Sequence, residues 1–247
     1  MKNFNIEQLI VGELDTNCWI YPLDTETEAA PELGAPMKTD GKAAPQNDRT
    51  THSGYCALID PGENARMIIA QLERLNLYPR YILLTHGHFD HIAALPALFD
   101  HYGAGLEIAI HNNDRIYLGP DAWDVHWRSY FRGIENIDYI KKQWQILPSP
   151  TRILSEGESI GPFTVLHLPG HSPGSAGFYD RKKNVLFSGD TLFYHNIGRS
   201  DLLGGDPLAL EKSLRRLLGM DEDIAVFPGH GQITSIGEEC NFYQIDR

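Results

Sequence analysis

Short apolar runs alternate with amphipathic segments along most of this chain, and the alternation predicts an α/β protein. Apolar side chains recur at helical spacing over residues 65–75, and residues 206–217 begin with Asp-Pro, a common helix start, before a second apolar stripe. A further helix is predicted to begin at Pro96 and to end at Gly103. The predicted strands are the short apolar runs at residues 19–21, 55–59, 81–84, 107–110, 163–168, 184–187 and 224–227.

Two segments interrupt this alternation within what we predict to be one domain, residues 1–247. Residues 23–52 are rich in Pro, Ala, Thr and acidic residues and have almost no large apolar side chain, so we predict a flexible loop insertion there. Residues 112–147 contain seven aromatic residues. Such a cluster forms either a small helical subcore or a lid over a ligand cleft, and the pattern leaves both alternatives open.

The composition narrows the class of protein. The 247 residues are 42% hydrophobic, enough to bury a large core, and no apolar stretch reaches the roughly 18 residues that span a bilayer. A formal net charge of −12 disfavours nucleic acid as a partner. Residues 1–12 lack the basic start and apolar block of a signal peptide, so we expect a cytoplasmic protein. The three widely spaced cysteines, Cys18, Cys56 and Cys240, are predicted to be buried thiols.

A cluster of metal-ligating side chains follows the predicted strand at residues 81–84. It contains His86, His88, Asp90 and His91. Imidazole and carboxylate groups rarely stand so close unless a cation or hydrogen bonds compensate them. A mixture of nitrogen and oxygen donors suits zinc and iron better than calcium or magnesium. The cluster therefore predicts a metal site at the end of this strand.

Further candidate ligands come after other predicted strands. His171, Asp190 and His230 each follow an apolar run, and a glycine directly precedes each of them. Side chains at the strand exits of an open sheet converge on one crevice, and glycine lets the backbone turn closely past a metal. We therefore predict that these residues join the histidine cluster in one site. His111 also follows a predicted strand, but we favour a capping or surface role for a lone histidine.

This set of motifs resembles that of the metallo-β-lactamase-fold hydrolases. The matching residues, in chain order, are Asp60, His86, His88, Asp90, His91, His171, Asp190 and His230. The resemblance covers the chain from about residue 14 onward. It implies an α/β fold in the form of a four-layer αββα sandwich, with two mixed β-sheets face to face and helices on the outer faces.

The resemblance also implies a role for each residue. It assigns the first metal to His86, His88 and His171, the second to Asp90, His91 and His230, and a bridging position to Asp190. Asp60 is expected to orient a ligand histidine without touching the metal. Two divalent ions are therefore expected, zinc first, with iron or manganese as alternatives.

Within this family the chain resembles short proteins of the glyoxalase II branch, the hydroxyacylglutathione hydrolases. Asp190 stands where many true β-lactamases have a cysteine, and residues 189–193 and 228–231 are similar to runs of this branch. Full-length glyoxalase II continues into a helical domain that holds the glutathione tail, whereas this chain ends 17 residues after His230. We therefore expect the chemistry of this branch and leave glutathione dependence open.

The implied reaction is hydrolysis of a thioester or related ester, with a small-molecule acylthiol as substrate. Two divalent ions bring about four positive charges, and Asp90, Asp190 and a bridging hydroxide remove about three. This mildly cationic centre favours an anionic tetrahedral intermediate, so we hypothesise that the metal-bridging hydroxide attacks the carbonyl, with Asp90 and Asp190 as catalytic residues. Arg199 is a candidate for binding a substrate carboxylate, and a structural role is its alternative.

A second interpretation needs fewer ligands. His86, His171 and Asp190 form the ligand set of mononuclear iron oxygenases, and persulfide dioxygenases of the same fold use these positions and contain a run similar to residues 198–201. This alternative requires a single iron ion. A catalytically inactive scaffold is the least favoured alternative, because no ligand position is missing.

Overall fold

The computed structural model describes residues 4–24, 52–131 and 137–245, so most of the predicted loop insertion at 23–52 lies outside the described residues. The described strands are β1 (Glu7–Val11), β2 (Thr16–Pro22), β3 (Gly54–Ile59), β4 (Leu77–Leu84), β5 (Glu107–His111), β6 (Arg152–Leu154), β7 (Ser159–Ile160), β8 (Phe163–His167), β9 (Ala176–Asp180), β10 (Val185–Gly189), β11 (Leu192–Phe193), β12 (Asn196–Ile197), β13 (Ala225–Pro228) and β14 (Thr234–Ser235).

The strands form two mixed six-stranded sheets and a separate hairpin. The order of the first sheet is β1-β2-β3-β4-β5-β6, with antiparallel pairs from β1 to β3 and parallel pairs from β3 to β6. The order of the second sheet is β14-β13-β10-β9-β8-β7, in which β10 and β13 are parallel. Among the described strands, β11 and β12 pair only with each other. The loops after β4, β8, β10 and β13 carry the candidate ligands.

Helices cover the outer faces of both sheets. The described helices are α1 (Ala65–Leu75), α2 (Phe89–Ile92), α3 (Leu95–Tyr102), α4 (Trp123–Phe131), α5 (Ile137–Gln143), α6 (Pro207–Leu218) and α7 (Ile236–Phe242). Helix α6 begins as predicted, since the Asp206 carboxylate accepts hydrogen bonds from the amides of Leu208 and Ala209 at 2.9 and 3.0 Å. In the described part of the chain, no helix is both long and apolar enough to cross a membrane.

Buried apolar residues form three large cores, and successive side chains of one strand point into different cores. On β4, Tyr81 and Leu83 point between the sheets and pack with Phe163 and Phe187 of the second sheet. The intervening residues Ile82 and Leu84 point to the opposite face, where α1 and α3 cover them. A third core joins the outer face of the second sheet to α6 and α7. This layering confirms the predicted αββα sandwich.

The predicted strands and helices are present, but seven described strands were not predicted from the apolar pattern, and the longest of these are β1 and β9. Strand β9 has the sequence Ala-Gly-Phe-Tyr-Asp and follows a turn of small residues, yet it pairs with β8 and β10 and is almost fully buried. Strand β1 lies at a sheet edge and has only one fully buried residue, so its pattern is weak. In both cases pairing with a neighbouring strand decides the structure more than local propensity does. The three cysteines are buried, as predicted.

The described part of the aromatic segment 112–147 packs against the ligand run. Phe89 is 1% exposed, packs against Trp123 of α4 and Ile140 of α5, and stacks on Trp144 with ring centroids 5.8 Å apart. Tyr117, at the end of a 3-10 helix (Asn112–Tyr117), lies with its ring centroid 5.8 Å from that of His88. His126 lies in the same cluster, and its Nε2 donates a hydrogen bond to the carbonyl of Tyr117 at 2.9 Å. These contacts bury Phe89 among the helices of this segment, and the choice between a helical subcore and a lid stays a prediction.

The buried His126 should make stability depend on pH. Burial lowers its pKa from 6.5 to about 4, so the unfolded chain binds a proton between these values that the folded protein does not. Stability should therefore fall by up to about 3 kcal/mol as the pH is lowered from about 7 to about 4. A His126→Gln variant keeps a donor for the Tyr117 carbonyl and should show a flatter dependence of the unfolding free energy on pH.

Urea unfolding of the wild type, His126→Gln and the control His101→Gln across this pH range measures the effect. His101 is a partly exposed histidine on α3, and its replacement controls for the loss of a histidine outside the cluster around Phe89. Identical profiles for wild type and His126→Gln would contradict the assignment.

Candidate metal centre

All seven predicted ligand side chains lie at one edge of the sandwich. They come from the loops after β4, β8, β10 and β13 and from the short helix α2, so strand exits of both sheets contribute. Six of them are buried and His230 is half-buried. Six of them form two groups of three, and Asp190 is the seventh.

The first group contains His86, His88 and His171. One ring nitrogen of each lies within 4.8 Å of the others, and all three residues are buried. Burial and the neighbouring imidazoles hold the pKa of His86 and of His88 well below the usual histidine value. These rings are therefore neutral at physiological pH, the form in which histidine binds a metal.

Hydrogen bonds determine which nitrogens of this group carry lone pairs. The Nδ1 of His171 donates to the carbonyl of Arg199 at 2.7 Å. The Thr85 hydroxyl donates to Asp60 at 2.6 Å and therefore accepts from the Nδ1 of His86 at 3.1 Å. In the neutral form that binds a metal, an imidazole carries one proton, and with that proton on Nδ1 the Nε2 atoms of His86 and His171 present lone pairs that face each other at 3.2 Å. The buried Nε2 of His88 has no hydrogen-bond partner among the described residues.

The second group contains Asp90, His91 and His230. The Nδ1 of His91 contacts Asp60 at 3.0 Å, and the Nδ1 of His230 donates to the carbonyl of Leu14 at 3.0 Å. Their Nε2 atoms are 3.3 Å apart and lie 3.2 and 3.4 Å from the Oδ2 of Asp90. The donor atoms of this group therefore also surround one point.

Asp190 lies between the two groups. Its Oδ2 is 3.6 Å from the Nε2 of His171 and 3.5 Å from that of His230, and its Oδ1 is 3.5 Å from the Nε2 of His91. A Cβ atom on Gly229 would lie 2.1 Å from the Oδ1 of Asp190, so only glycine permits this approach. The carboxylate can therefore reach both groups.

The spacing of the donor atoms fits divalent cations. Two imidazole nitrogens that each lie about 2.0–2.1 Å from a tetrahedral zinc ion are about 3.3 Å apart. The Nε2 pairs of His86 with His171 and of His91 with His230, at 3.2 and 3.3 Å, match this separation. Two lone pairs facing each other at this distance need a cation or a proton between them. The orphaned Nε2 of His88 and Oδ1 of Asp190 supply additional donors.

The second group attracts positive charge. Burial alone would raise the pKa values of Asp90 and Asp190, but the imidazoles of His91 and His230 hold both well below the usual carboxyl value. Conversely, burial opposes protonation of these imidazoles, yet the carboxylates raise the pKa of His230 to about 10 and that of His91 well above its usual value. A divalent cation would replace the protons that the two carboxylates otherwise keep on the imidazoles of His91 and His230.

Asp60 links the supports of both groups. Its Oδ1 accepts from the amide of Thr85 at 2.8 Å, and its Oδ2 accepts from the Thr85 hydroxyl at 2.6 Å and contacts the Nδ1 of His91 at 3.0 Å. Because the Thr85 hydroxyl also contacts the Nδ1 of His86 at 3.1 Å, Asp60 helps to orient the ring of His86 through Thr85. With its oxygens occupied in this way, Asp60 is suited to orient histidines rather than to bind a metal.

Arg199 lines the same cleft but already has an anionic partner. Its Nε and Nη2 donate to the two oxygens of Asp201 at 2.7 and 2.8 Å. Its carbonyl accepts from the Nδ1 of His171. The backbone of Arg199 thus supports a candidate ligand, and a substrate carboxylate would compete with Asp201 for the guanidinium.

His111 does not join either group. Its Nδ1 accepts a hydrogen bond from the amide of Asn113 at 3.3 Å, and its ring stacks on His167 with centroids 4.0 Å apart. The capping role is therefore present, although the side chain is buried rather than at the surface.

A buried carboxylate absent from the sequence prediction joins two ligand-bearing turns. Asp114 is 0% exposed, and it accepts from the amide of Gly87 at 3.0 Å, the hydroxyl of Ser172 at 2.6 Å and the amide of Gly174 at 2.6 Å. Burial raises its pKa despite these donors. Gly87 separates two histidines of the first group and Ser172 follows the third. Its place just after β5 is the signal that could have identified it.

Comparisons with known proteins agree with this architecture. The family model of the metallo-beta-lactamase superfamily matches residues 50–230. The chain is 39% identical to hydroxyacylglutathione hydrolase GloC from Haemophilus influenzae over 189 residues. This aligned region covers 74% of this chain and 83% of that protein. The crystal structure of the BLEG-1 B3 metallo-beta-lactamase is similar with a TM-score of 0.72, 31% identity and 96% coverage of each chain. TTHA1623, solved in a di-iron-bound form, has a TM-score of 0.68, 32% identity and coverage of 96% of this chain and 98% of that one.

Replacing Asp114 should weaken metal binding at the first group. In Asp114→Asn an amide nitrogen faces donors that need acceptors, so the turns that carry His86, His88 and His171 should shift. Partners that orient metal ligands typically contribute about 10- to 100-fold in affinity, and we expect a loss of this size. Competition between the protein and a chromophoric zinc chelator measures the affinity.

The matched control is Asp121→Asn, which removes an exposed carboxylate from the same segment and should leave the zinc affinity as in the wild type. If Asp114→Asn lowered the thermal stability but bound zinc as tightly as the wild type, Asp114 would be only a packing residue.

Proposed function

The chain belongs to the metallo-beta-lactamase superfamily as a metallo-hydrolase, and on that premise we propose that it is a binuclear enzyme that hydrolyses thioesters or related esters. His86, His88 and His171 would hold the first ion and Asp90, His91 and His230 the second, with Asp190 shared. Zinc is the proposed metal. The substrate would be a small acylthiol, as for the hydroxyacylglutathione hydrolase to which the chain is similar.

The observation that carries this proposal is the completeness of the second group. Asp90, His91 and His230 bring three donor atoms within 4.8 Å of one another. Asp60 holds His91 in place, and the Thr16 hydroxyl donates to the Oδ2 of Asp90 at 2.9 Å. Because the buried side chains of Asp60 and Thr16 both orient members of this group, we infer that the group has a function of its own.

Each residue has a distinct part in the proposed reaction. A pair of divalent ions supplies a water nucleophile at neutral pH and polarises a carbonyl oxygen. Asp190 and Asp90, both held ionised, would lower the net charge of the centre and accept a hydrogen bond from the attacking water. Asp60 and the carbonyls of Arg199 and Leu14 keep the imidazoles in the ligating tautomer.

A mononuclear iron dioxygenase is the second candidate, favoured by one observation. The Nε2 of His171 lies 3.2 Å from that of His86 and 3.6 Å from Asp190, so two histidines and a carboxylate form a compact set by themselves. Such a set leaves the second group without a function. Hydrolysis is therefore the better-supported proposal.

Parallel assays of the two reactions test the proposal. We expect the zinc-loaded protein to release free thiol from S-lactoylglutathione or another acylthiol without oxygen, and to take up no oxygen with glutathione persulfide. In His230→Ala, hydrolysis should fall by about 100-fold or more, because the second ion and its electrostatic stabilisation are lost. The control His101→Ala should retain wild-type activity.

The dioxygenase alternative predicts the opposite pattern. It requires one iron per chain, oxygen uptake with the persulfide, and full activity in His230→Ala. That combination would overturn the hydrolase proposal.

A further inference from the structure

The cleft beside the two candidate metal groups has one apolar wall. The cleft has a volume of about 520 Å³, and His88, Asp90, His171, Asp190 and His230 form its floor. We define the apolar wall as the cleft-lining side chains of Leu14, Phe193, Tyr194, Ile197 and Leu202. Leu14, Tyr194 and Ile197 are 38, 37 and 39% exposed, so the wall presents apolar surface to solvent in the same cleft as the polar floor.

The hairpin that carries most of this wall is firmly anchored. The carboxylate of Glu239, 0% exposed, accepts from the amide of His195 at 3.0 and 3.2 Å and from the hydroxyl of Thr234 at 2.6 Å. The ring of His195 stacks on Phe242 with centroids 4.0 Å apart. At the start of the hairpin, Ser188 donates to the carbonyl of Leu192 at 2.8 Å. The exposed apolar side chains are therefore held in position before a ligand binds, which lowers the entropy cost of binding.

The cleft offers little to a highly charged ligand. Among the described residues that line it, Arg199 is the only lysine or arginine, and its guanidinium is paired with both oxygens of Asp201. The other polar side-chain groups of the lining outside the floor are the amides of Asn196 and Gln232 and the hydroxyl of Tyr194. A glutathione moiety carries two carboxylates and an ammonium group, and these groups would face an apolar surface and a neutralised arginine.

Building on the proposed thioester hydrolysis, we infer that the apolar wall binds the acyl group of the substrate, and that this acyl group is apolar. The carbonyl of such a substrate lies over the floor, and its alkyl or aryl group lies against Ile197 and Tyr194. The preferred substrates are then thioesters of apolar carboxylic acids rather than glutathione thioesters recognised through their charged tail.

A series of acyl thioesters on one small thiol tests this inference. With acetyl, butyryl and hexanoyl thioesters of N-acetylcysteamine, kcat/KM should rise by at least about tenfold from acetyl to hexanoyl, because each methylene buried on the wall adds affinity. Hexanoyl-N-acetylcysteamine should also be hydrolysed faster than S-lactoylglutathione. In Ile197→Ser, the ratio of hexanoyl to acetyl kcat/KM should fall to a few-fold.

The matched control is Ile116→Ser. Ile116 is an exposed isoleucine, 54% accessible, outside the cleft lining, and its replacement should change neither the activity nor the ratio.

Calorimetry with non-hydrolysable thioethers supplies a readout independent of turnover. S-hexyl-N-acetylcysteamine should bind the zinc-loaded protein at least about tenfold more tightly than the S-methyl analogue. The heat-capacity change should also be more negative for the hexyl compound, the mark of apolar burial. Both differences should shrink in Ile197→Ser.

The outcomes separate this inference from the proposed function. Hydrolysis of no thioester would refute the proposed function, whereas the thioether titrations would still test the wall. Hydrolysis that is independent of acyl length, that increases only with an apolar thiol, or that favours S-lactoylglutathione tenfold would overturn the inference and leave thioester hydrolysis standing.

Discussion

Compensation of buried negative charge is the constraint on which this structure depends. Asp60, Asp90 and Asp190 are 1, 8 and 9% exposed and lie at one edge of the sandwich. An ionised carboxylate without compensation is costly in such surroundings. Asp60 obtains compensation from three hydrogen-bond contacts, whereas Asp90 and Asp190 face imidazole nitrogens, and the raised pKa values of His91 and His230 express how strongly these carboxylates attract positive charge. The proposed pair of divalent cations would satisfy this demand more fully than protons do.

Contacts between the two sheets bring the residues of the second group together at this edge. The start of β2 in the first sheet docks onto the loop that carries His230 in the second. The amide of Asn17 donates to the carbonyl of Gly229 at 2.7 Å, its side chain donates to the carbonyls of Pro228 and Gly231 at 3.0 and 2.9 Å, and Trp19 donates to Pro228 at 3.0 Å. Because these contacts join residues about two hundred positions apart, the second group assembles only when both sheets are packed together. Folding and construction of the candidate centre are thus one event.

The predictive power of the sequence differed between elements for physical reasons. The meeting of the seven candidate side chains at one edge could be expected because strand exits converge, and their assignment as metal ligands stays a prediction. The αββα layers followed from the family resemblance. Asp114 was missed because its three partners are two backbone amides and a hydroxyl from other turns, so its place just after β5 was the one local signal. Likewise the β11–β12 hairpin depends on Glu239, more than forty residues away from His195, so neither local propensity nor turn chemistry predicts it. Residues 25–51, within the predicted insertion, lie outside the described chain, and that prediction stands untested.

The central claim is that two cations share this edge through Asp190. A crystal structure of the zinc-loaded protein, with anomalous data collected on both sides of the zinc absorption edge, tests it most directly. We predict two anomalous peaks, one bounded by His86, His88 and His171 and the other by Asp90, His91 and His230, with the Asp190 carboxylate reaching both. A single peak held by His86, His171 and Asp190, with the second group bound only to protons and water, would contradict the account.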